Sequence, residues 1–435
     1  MSLRMNSRQL PKGWVEKKLG DICSIKHGFA FKSQFFTSEE SDYVLLTPGS
    51  FYESGGYREQ GEKTKYYIGK IPDGFILNKN DFLFAMTEQA IGLLGSPLIV
   101  PELNKFLHNQ RLGLVQVFDR IDWHNDFFFY QFNTQEFRAA VQSSASGVKV
   151  RHTSPNKLGA ISIRYPPSIV EQKAIADNLN EAFAGIDRAI ANTKKNLTNT
   201  RELFESYLDA IFTRKGDGWI EEKLHSVVEP NCSLSYGIVQ PGNEYEDGLP
   251  IVRPTDLTKK NINLDGLKRI DPSLADSYKR TKLSGGELLL CVRGSNGVVG
   301  IAVDELKGAN VTRGIVPIRF ERSVITQAFG YYLLISKMIQ DQIREKTYGT
   351  ALMQINIRDL KNILISFPDQ EEQQILVEKL TQMENETQRL EAIYQQKLAA
   401  LTELKQSILQ KAFTGELTAD TANQTTKKAE EAIAA

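Results

Sequence analysis

The chain has 435 residues, of which 41% are hydrophobic and 24% charged, a composition typical of globular proteins and a length that favours two or more domains. Its 53 basic and 53 acidic residues cancel to a formal net charge of +0, so bulk charge gives no support to nucleic-acid binding, although a locally basic cleft can be balanced elsewhere. No run approaches the ~20 apolar residues of a membrane span, and residues 1–14 lack an apolar core, so we expect neither a membrane helix nor a secretory signal.

The cysteines and histidines indicate the compartment and the absence of a metal centre. Cys23, Cys232 and Cys291 are far apart in the sequence and form no Cys-x-x-Cys pair. This usage argues against a disulfide framework or a zinc cluster and favours the reducing cytoplasm. The five histidines also show no metal-ligand spacing, so we predict no metal site in this chain.

Residues 1–166 predict the first of two mixed α/β domains. Short β-rich runs at 43–46, 82–85 and 98–100 are separated by turn residues, and a helix is predicted over 126–141. The glycine and the basic residues in 146–152 predict a flexible basic loop that precedes a strand.

Residues 167–215 predict a long helix that begins after Pro166 and Pro167 and ends before Gly216. Apolar, aromatic and threonine side chains recur along it at alternating spacings of four and three residues, which is the seam of a coiled coil. The predicted seam residues are Leu179, Phe183, Ile186, Ile190, Thr193, Leu197, Thr200, Phe204, Tyr207 and Ile211.

Residues 216–367 and 368–414 repeat this plan as a second α/β domain and a second long helix. Strands are predicted at 249–252, 288–291 and 298–301 and a helix at 327–345. The second seam, interrupted at Lys397, comprises Leu376, Leu380, Met383, Thr387, Leu390, Tyr394, Leu401, Leu404 and Ile408. Helices of about 46 residues, roughly 69 Å long, rarely stand alone, so we expect the two to pack on each other. Residues 415–435 are predicted to be a disordered tail.

The two halves of the chain share short anchor motifs. The pairs are Gly13-Trp14 with Gly218-Trp219, Glu171-Gln172 with Glu372-Gln373, and Phe212-Thr213 with Phe413-Thr414. Between these anchors the halves share few identities, although residues 109–113 resemble residues 311–315. The pattern indicates a common frame that holds two divergent inserts.

With these paired motifs the sequence resembles the specificity (S) subunits of Type I restriction–modification systems. The resemblance covers about residues 10–417, and the order of insert, long helix, insert and long helix carries more of it than any single motif. It implies an α+β fold in which two α/β target recognition domains are joined by two long helices. These helices would form an antiparallel coiled coil with an internal pseudo-twofold repeat.

The resemblance also implies the division of labour in the complex. Each insert would read one half of an asymmetric bipartite site in double-stranded DNA, and the helices would set the spacing and dock two methyltransferase (M) subunits. Those subunits bind S-adenosylmethionine and methylate adenine, and ATP-driven restriction (R) subunits then join. S-adenosylmethionine, ATP and Mg would belong to the partner subunits, so this chain would have no catalytic site.

Side chains that read base edges or hold phosphates are sought in the inserts, where Arg, Lys, Asn, Gln and hydroxyl groups are the usual donors and acceptors. In the first insert the candidates are Lys26, His27, Lys32, Thr87, Glu88, Gln89, Asn109, Gln110, Arg111, Lys149 and Arg151. In the second insert they are Tyr236, Gln240, Arg253, Arg293, Ser295, Asn296, Arg313, Thr347, Tyr348 and Asn356. For any one of them, the competing interpretation is a solvated surface residue or a turn former.

Two other classes of protein stay open at this point. One is a coiled-coil protein scaffold whose inserts bind proteins and do not read DNA. The other is an enzyme that acts on DNA without partner subunits. However, Pro166-Pro167 lacks the Asn-Pro-Pro-aromatic signature of adenine methyltransferases. Residues 294–300 also lack the Gly-Lys-Ser/Thr ending of a phosphate-binding loop, so we favour a glycine turn between two strands.

Overall fold

The computed structural model describes residues 10–89, 91–349 and 353–414. By its internal contacts the chain divides into two compact units, which we call the first unit (Met1–Thr193 with Gln396–Ala435) and the second unit (Lys194–Gln395). The predicted disordered tail at 415–435 lies outside the described residues.

In the described part of the first repeat, residues 10–89 and 91–214, there are twelve strands and four α-helices. The strands are β1 Val15–Lys18, β2 Cys23–His27, β3 Phe36–Thr37, β4 Val44–Leu45, β5 Tyr66–Tyr67, β6 Phe82–Ala85, β7 Thr87–Glu88, β8 Pro97–Ile99, β9 Phe106–Leu107, β10 Leu112–Val117, β11 Arg151–His152 and β12 Ser162–Tyr165. The helices are α1 Asn125–Phe132, α2 Gln135–Ser144, α3 Pro155–Gly159 and α4 Ile169–Arg214.

The second repeat, as far as residues 215–349 and 353–414 describe it, has nine strands and four α-helices in a similar order. The strands are β13 Ile220–Lys223, β14 Leu249–Val252, β15 Asn261–Ile262, β16 Lys268–Ile270, β17 Leu288–Cys291, β18 Val299–Ala302, β19 Asn310–Val311, β20 Ile315–Ile318 and β21 Leu364–Phe367. The helices are α5 Gln327–Ile335, α6 Lys337–Glu345, α7 Ile357–Lys361 and α8 Gln370–Thr414.

A central strand buried on both faces organises each repeat. β6 lies between β10 and β8 in the sheet β2-β10-β6-β8, and β17 lies between β18 and β20 in the sheet β15-β18-β17-β20. Phe82 and Phe84 of β6 enter the core that holds α1 and α4, whereas Leu83 enters a second core on the opposite face. Successive side chains of β17 likewise enter two different cores on opposite faces of the sheet. This double burial explains the continuous apolar runs that predict these strands, because neither face needs polar residues.

The remaining strands form further sheets of two to four strands. In the first repeat these are β3-β5-β4-β9, the pair β1-β12 and the pair β11-β7. In the second repeat they are β16-β14-β19 and the pair β13-β21. The pairs β1-β12 and β13-β21 are antiparallel with Val15 opposite Tyr165 and Ile220 opposite Phe367, so the start of each repeat is bonded to the strand that leads into its long helix.

The prediction of one continuous short helix in each insert is wrong. Residues 126–141 are divided between α1 and α2 because Thr134 is extended and its hydroxyl caps α2 at Phe137 N. Residues 327–345 are divided between α5 and α6 at Ser336, which is also extended and donates its hydroxyl hydrogen to Leu333 O at 2.7 Å. Serine and threonine side chains compete in this way for backbone groups that a continuous helix would use.

The two long helices are confirmed, with 46 residues in α4 and 45 in α8. α4 ends before Lys215, whose positive φ of 36° leaves the helical region. In the core of the first unit, Leu179 and Ile186 of α4 pack with Leu401 and Ile408 of α8. The predicted seam fails at Leu390, which is 37% exposed.

Ion pairs give the direction of the helix pair inside each unit. In the first unit Lys405 Nζ lies 2.7 Å from Asp187 Oδ1, and in the second unit Arg201 Nε lies 3.2 Å from Glu391 Oε2. A later residue of α4 therefore faces an earlier residue of α8, which is the antiparallel order that the resemblance implies.

The cysteines are free and buried. Among the residues that the structure describes, no group of three or more histidine, cysteine or acidic side chains is arranged to hold a metal ion. Within the same described ranges, no helix is long and apolar enough to cross a membrane.

A buried histidine gives the first unit a pH-dependent stability. His108 is fully buried, with Nε2 3.1 Å from Leu112 O, and burial lowers its pKa to about 4. The unfolded chain protonates this histidine below pH ~6.5, whereas the folded chain does so only near pH 4. The free energy of unfolding is therefore highest above pH ~6.5 and falls as the pH falls towards 4, by on the order of 2 kcal/mol at pH ~5.

We expect urea unfolding at pH 7.5 and pH 5 to show a smaller pH dependence of the free energy of unfolding for His108→Gln than for the wild type. His225→Gln is the matched control, because His225 is exposed. Equal pH dependence in wild type and His108→Gln would contradict the assignment of this pH dependence to His108.

Candidate nucleic-acid interface

Three segments of the first insert meet at Met86. The Met86 amide donates to Arg111 O at 2.9 Å, and Met86 O accepts from the Thr153 amide at 3.0 Å. β7 and β11 continue this contact as an antiparallel pair, with Glu88 opposite Arg151. Predicted residues that are distant in sequence thus come together in what we call the first cluster, which consists of Thr87, Gln89, Arg111, Lys149 and Arg151.

The segment 146–152 is a hairpin, in which the predicted basic loop precedes β11. The amides and carbonyls of Ser146 and His152 bond to each other at 3.0 and 2.8 Å. Gly147 has a positive φ of 97°, and a Cβ there would lie 2.1 Å from Val150 O, so only glycine fits this turn. The turn presents Lys149 to solvent beside Val148, whose side chain is 97% exposed.

Glu88, a predicted DNA contact, is instead a buried bridge. Its Oε2 accepts from the amides of Gly92 and Leu94 at 3.0 and 2.8 Å, and its Oε1 lies 3.5 Å from Arg151 Nη1. The carboxylate therefore holds the loop after β7 and the hairpin together. Arg138 bonds the same loop at Gly92 O, and burial lowers its pKa to about 10.

The other exposed candidates of the first insert and their neighbours lie at the end of β2, just after it at Lys32, and in the turn before β10. Gln110 and Arg111 are exposed, whereas Asn109 is buried and accepts from the Arg111 amide at 3.0 Å, so its oxygen shapes the turn. Lys26 donates to Gly74 O at 2.9 Å and lies over the ring of Phe75. His27 and Lys32 are exposed.

The second insert repeats this convergence at Val292. Its amide donates to Gly314 O at 2.8 Å, and its carbonyl accepts from the Ile355 amide at 3.1 Å. Tyr348 and Gln354 exchange two backbone bonds of 2.9 Å, as Ser146 and His152 exchange bonds in the first insert. The second cluster that results consists of Tyr236, Arg293, Ser295, Arg313 and Tyr348.

Tyr236 lies at the centre of the second cluster. Its hydroxyl donates to Ile355 O at 3.1 Å, and burial, together with the nearby Tyr348, raises its pKa while the positive charges of Arg293 and Arg313 oppose that rise. These two arginines are therefore near one phenol ring. Among the described residues, Arg111, Lys149, Arg293 and Arg313 form no ion pair, so their charges are available to a ligand.

Several candidates of the second insert have local structural roles. Arg253 pairs with Asp256 through two bonds of 2.8 and 3.1 Å, and Asn356 caps α7 by accepting from the Asp359 amide at 2.8 Å. Asn296 donates to the Thr347 hydroxyl at 3.2 Å, which fastens the glycine turn to the end of α6. Gln240 is exposed.

Two glycines that the sequence comparison missed support the two clusters. A Cβ on Gly28 would lie 2.0 Å from Asn109 O, and one on Gly237 would lie 1.9 Å from Val311 O. The Gln110 amide donates to Phe29 O and the Arg313 amide donates to Ile238 O, so Gln110 corresponds to Arg313. The sequence alignment of 109–113 with 311–315 is therefore wrong by one residue.

Substitution of Gly28 tests this close approach. We expect Gly28→Ala to destabilise the first unit by about 1–3 kcal/mol or more, because the added methyl group must displace backbone. Gly159→Ala is the control, since its Cβ would meet only ordinary contacts of 3.5 Å or longer. Thermal denaturation that gives both variants the same midpoint would contradict the packing described.

The fold and the two clusters define a class of protein in which one helical frame carries two separate recognition folds. A family model described as the Type I restriction modification DNA specificity domain matches residues 11–199 and 237–400. The chain therefore belongs to the family of Type I restriction–modification specificity subunits, which are non-catalytic components of these systems, as the paired motifs predict.

Relatives and solved structures agree over nearly the whole chain. The EcoBI specificity subunit of Escherichia coli is 27% identical over 432 residues, which cover 93% of this chain and 86% of that protein. A chain from a structure titled for complex assembly and conformational transition of the type I R-M system matches with a TM-score of 0.72 at 19% identity, covering 94% of this chain and 100% of that one. The HsdS subunit from Thermoanaerobacter tengcongensis gives a TM-score of 0.57 at 18% identity, covering 95% and 99%.

Proposed function

We propose that the first and second clusters each contact one half of a bipartite site in double-stranded DNA. The observation that carries this proposal is the same in both units: segments that differ between the repeats converge on one strand end. Basic side chains without an ion pair among the described residues lie there, Arg111 and Lys149 in the first cluster and Arg293 and Arg313 in the second. Arginine reads guanine edges and holds phosphates, and these are the contacts that give specificity and affinity. The recognition folds would lie within 1–166 and 216–367, and the spacer helices within 167–215 and 368–414.

The individual candidates differ in what their surroundings allow. Contacts inside the chain occupy Glu88, Asn109, Arg151, Arg253 and Asn356, so we assign them to support of the interface. Exposed or unpaired side chains are the direct contacts that we propose, and they now include His152 and Val148. His152 adjoins Arg151 in the hairpin, and an exposed aliphatic side chain such as Val148 suits the methyl group of thymine.

We further propose that the long helices dock two methyltransferase subunits and that restriction subunits then join. S-adenosylmethionine, ATP and Mg would be bound by those partners, in the cytoplasm. This assignment is supported by the relatives that are named as specificity subunits of Type I restriction enzymes. Exposed apolar side chains on the helices, such as Val170 on α4 and Ile375 and Ile393 on α8, suit a protein partner.

The proposed function is tested by co-expression of the chain with its methyltransferase partner and mapping of N6-methyladenine in the host genome. We expect one bipartite motif with a fixed gap. The double variant Arg111→Ala, Lys149→Ala should weaken or relax one half of that motif and leave the other half unchanged. A soluble complex that produces no new methylation would instead favour the protein-scaffold alternative.

The electrostatic role of the second cluster is tested by Arg293→Ala and Arg313→Ala in the same complex. Each substitution should weaken binding to an oligonucleotide with the mapped site by about 1–3 kcal/mol if it reads a base, or lower the salt dependence by about one unit of slope if it holds a phosphate. Arg322→Ala is the control, because this exposed arginine contacts the start of α8 through its carbonyl, away from the cluster residues. Unchanged affinity and slope for both cluster variants would remove these arginines from the interface.

A further inference from the structure

Two glutamines of the repeated anchor motif are completely buried. Gln172 lies in the first turn of α4 and Gln373 in the first turn of α8, and both are 0% exposed. Glutamine is rarely so buried unless its amide is fully bonded. Neither residue belongs to the first or the second cluster, so DNA contact does not explain them.

The Gln172 amide bonds three backbone groups. Its Nε2 donates to Pro166 O at 2.9 Å and to Asp122 O at 3.1 Å, and its Oε1 accepts from the His124 amide at 2.9 Å. Pro166 follows β12, and the segment from Asp122 to His124 leads into α1. One side chain thus ties the start of α4 to two separate parts of the recognition fold.

Gln373 makes the corresponding three bonds in the second unit. Its Nε2 donates to Pro368 O at 2.9 Å and to Val324 O at 2.8 Å, and its Oε1 accepts from the Thr326 amide at 2.9 Å. The inserts around the two glutamines share few identities, yet the atoms and partners correspond. This recurrence indicates a constraint common to both units and independent of the sequence that each insert reads.

The residues beside each glutamine complete the contact between the recognition fold and its long helix. We call this contact, formed by the glutamine, its neighbouring glutamate, one tryptophan and two phenylalanines, the joint. The indole of Trp14 donates to Glu171 at 3.0 Å, and that of Trp219 donates to Glu372 at 3.2 Å. Trp14 also packs edge-on against Phe127 and Phe413, at 6.0 and 6.3 Å between ring centroids. In the second unit the equivalent rings are Trp219, Phe329 and Phe212.

The hydrogen-bonded amide constrains the joint in a way that apolar packing alone does not. Aromatic contacts tolerate small rotations and slides, whereas an amide with both N–H groups and its oxygen engaged is directional. The recognition fold cannot turn on its helix without breaking these bonds, and a fully buried glutamine amide that loses its partners is costly. The joint is therefore stiff in angle as well as tightly packed.

We infer that Gln172 and Gln373 are positioning residues that fix the angle of each recognition fold on its helix and thereby restrict the DNA gap between the two half-sites. This inference rests on the proposed function. A gap longer or shorter by one base pair moves one half-site by roughly 3.4 Å and turns it by about 35° around the DNA axis. With a stiff joint the recognition fold cannot follow the displaced half-site, whereas with a loosened joint it follows part of the displacement.

The test uses the complete complex with the methyltransferase and a plasmid library. The library presents the mapped half-sites with the wild-type gap and with gaps one base pair shorter and longer. In Gln172→Met with Gln373→Met, we expect methylation at the altered gaps, relative to the wild-type gap, to rise roughly tenfold, the change that loss of one or two net hydrogen bonds produces. The half-site sequences should stay the same.

Gln374→Met is the matched control, because Gln374 is the exposed neighbour of Gln373 on α8 and should leave the gap preference unchanged. If the double methionine variant does not assemble, Gln172→Met and Gln373→Met are tested singly, since each removes the bonds of one joint only. Each single variant should raise methylation at the altered gaps less than the double variant does, and unchanged gap preference in both would contradict the inference.

Three results would overturn the inference. The first is an unchanged gap preference with only a lower yield of active complex, which would reduce the glutamines to a role in stability. The second is relaxed half-site sequences at the wild-type gap, which would place their effect in base reading. The third is the absence of any bipartite motif with the wild-type chain, which would refute the proposed function and the inference that rests on it.

Discussion

The buried joint between each recognition fold and its long helix is the constraint on which the rest of the structure depends. Gln172 and Gln373 satisfy backbone groups from the strand and from the loop that flank each helix start, and the tryptophan and two phenylalanines close the remaining space. Because these contacts involve the repeated anchors and backbone atoms, the inserts can diverge without disturbing them. Residues that read DNA can therefore change while the contacts between each recognition fold and its helix stay the same.

The central strands extend this separation into the recognition folds. β6 and β17 are buried on both faces, so their side chains serve only packing, and variation is left to the segments beyond the strand ends. Those segments are held by main-chain bonds to Met86 and Val292 and by buried groups such as Glu88. A rigid main-chain support of this kind allows the exposed side chains to change while the turns that carry them keep their shape.

Sequence patterns predicted the frame well because the frame is periodic and repeated. The paired Trp, Glu-Gln and Phe-Thr anchors indicated a common frame, and the structure places them at the joint. The seam spacing predicted α4 and α8. The interface was harder, because residue type alone does not distinguish an exposed acceptor from a buried one, and Glu88 shows the difference. Ser336 divides a helix through its own hydroxyl, and Gly28 and Gly237 are required by carbonyls far along the chain, so no local pattern reveals either.

The first unit is discontinuous in sequence, whereas the second is a single run of chain. Phe413, which completes the aromatic contact of Trp14 and Phe127, is among the last described residues to leave the ribosome. During synthesis the apolar surface of Trp14 and Phe127 therefore stays uncovered by Phe413 until the whole second unit has been made. The order of translation thus makes the half that is synthesised first the last to be completed.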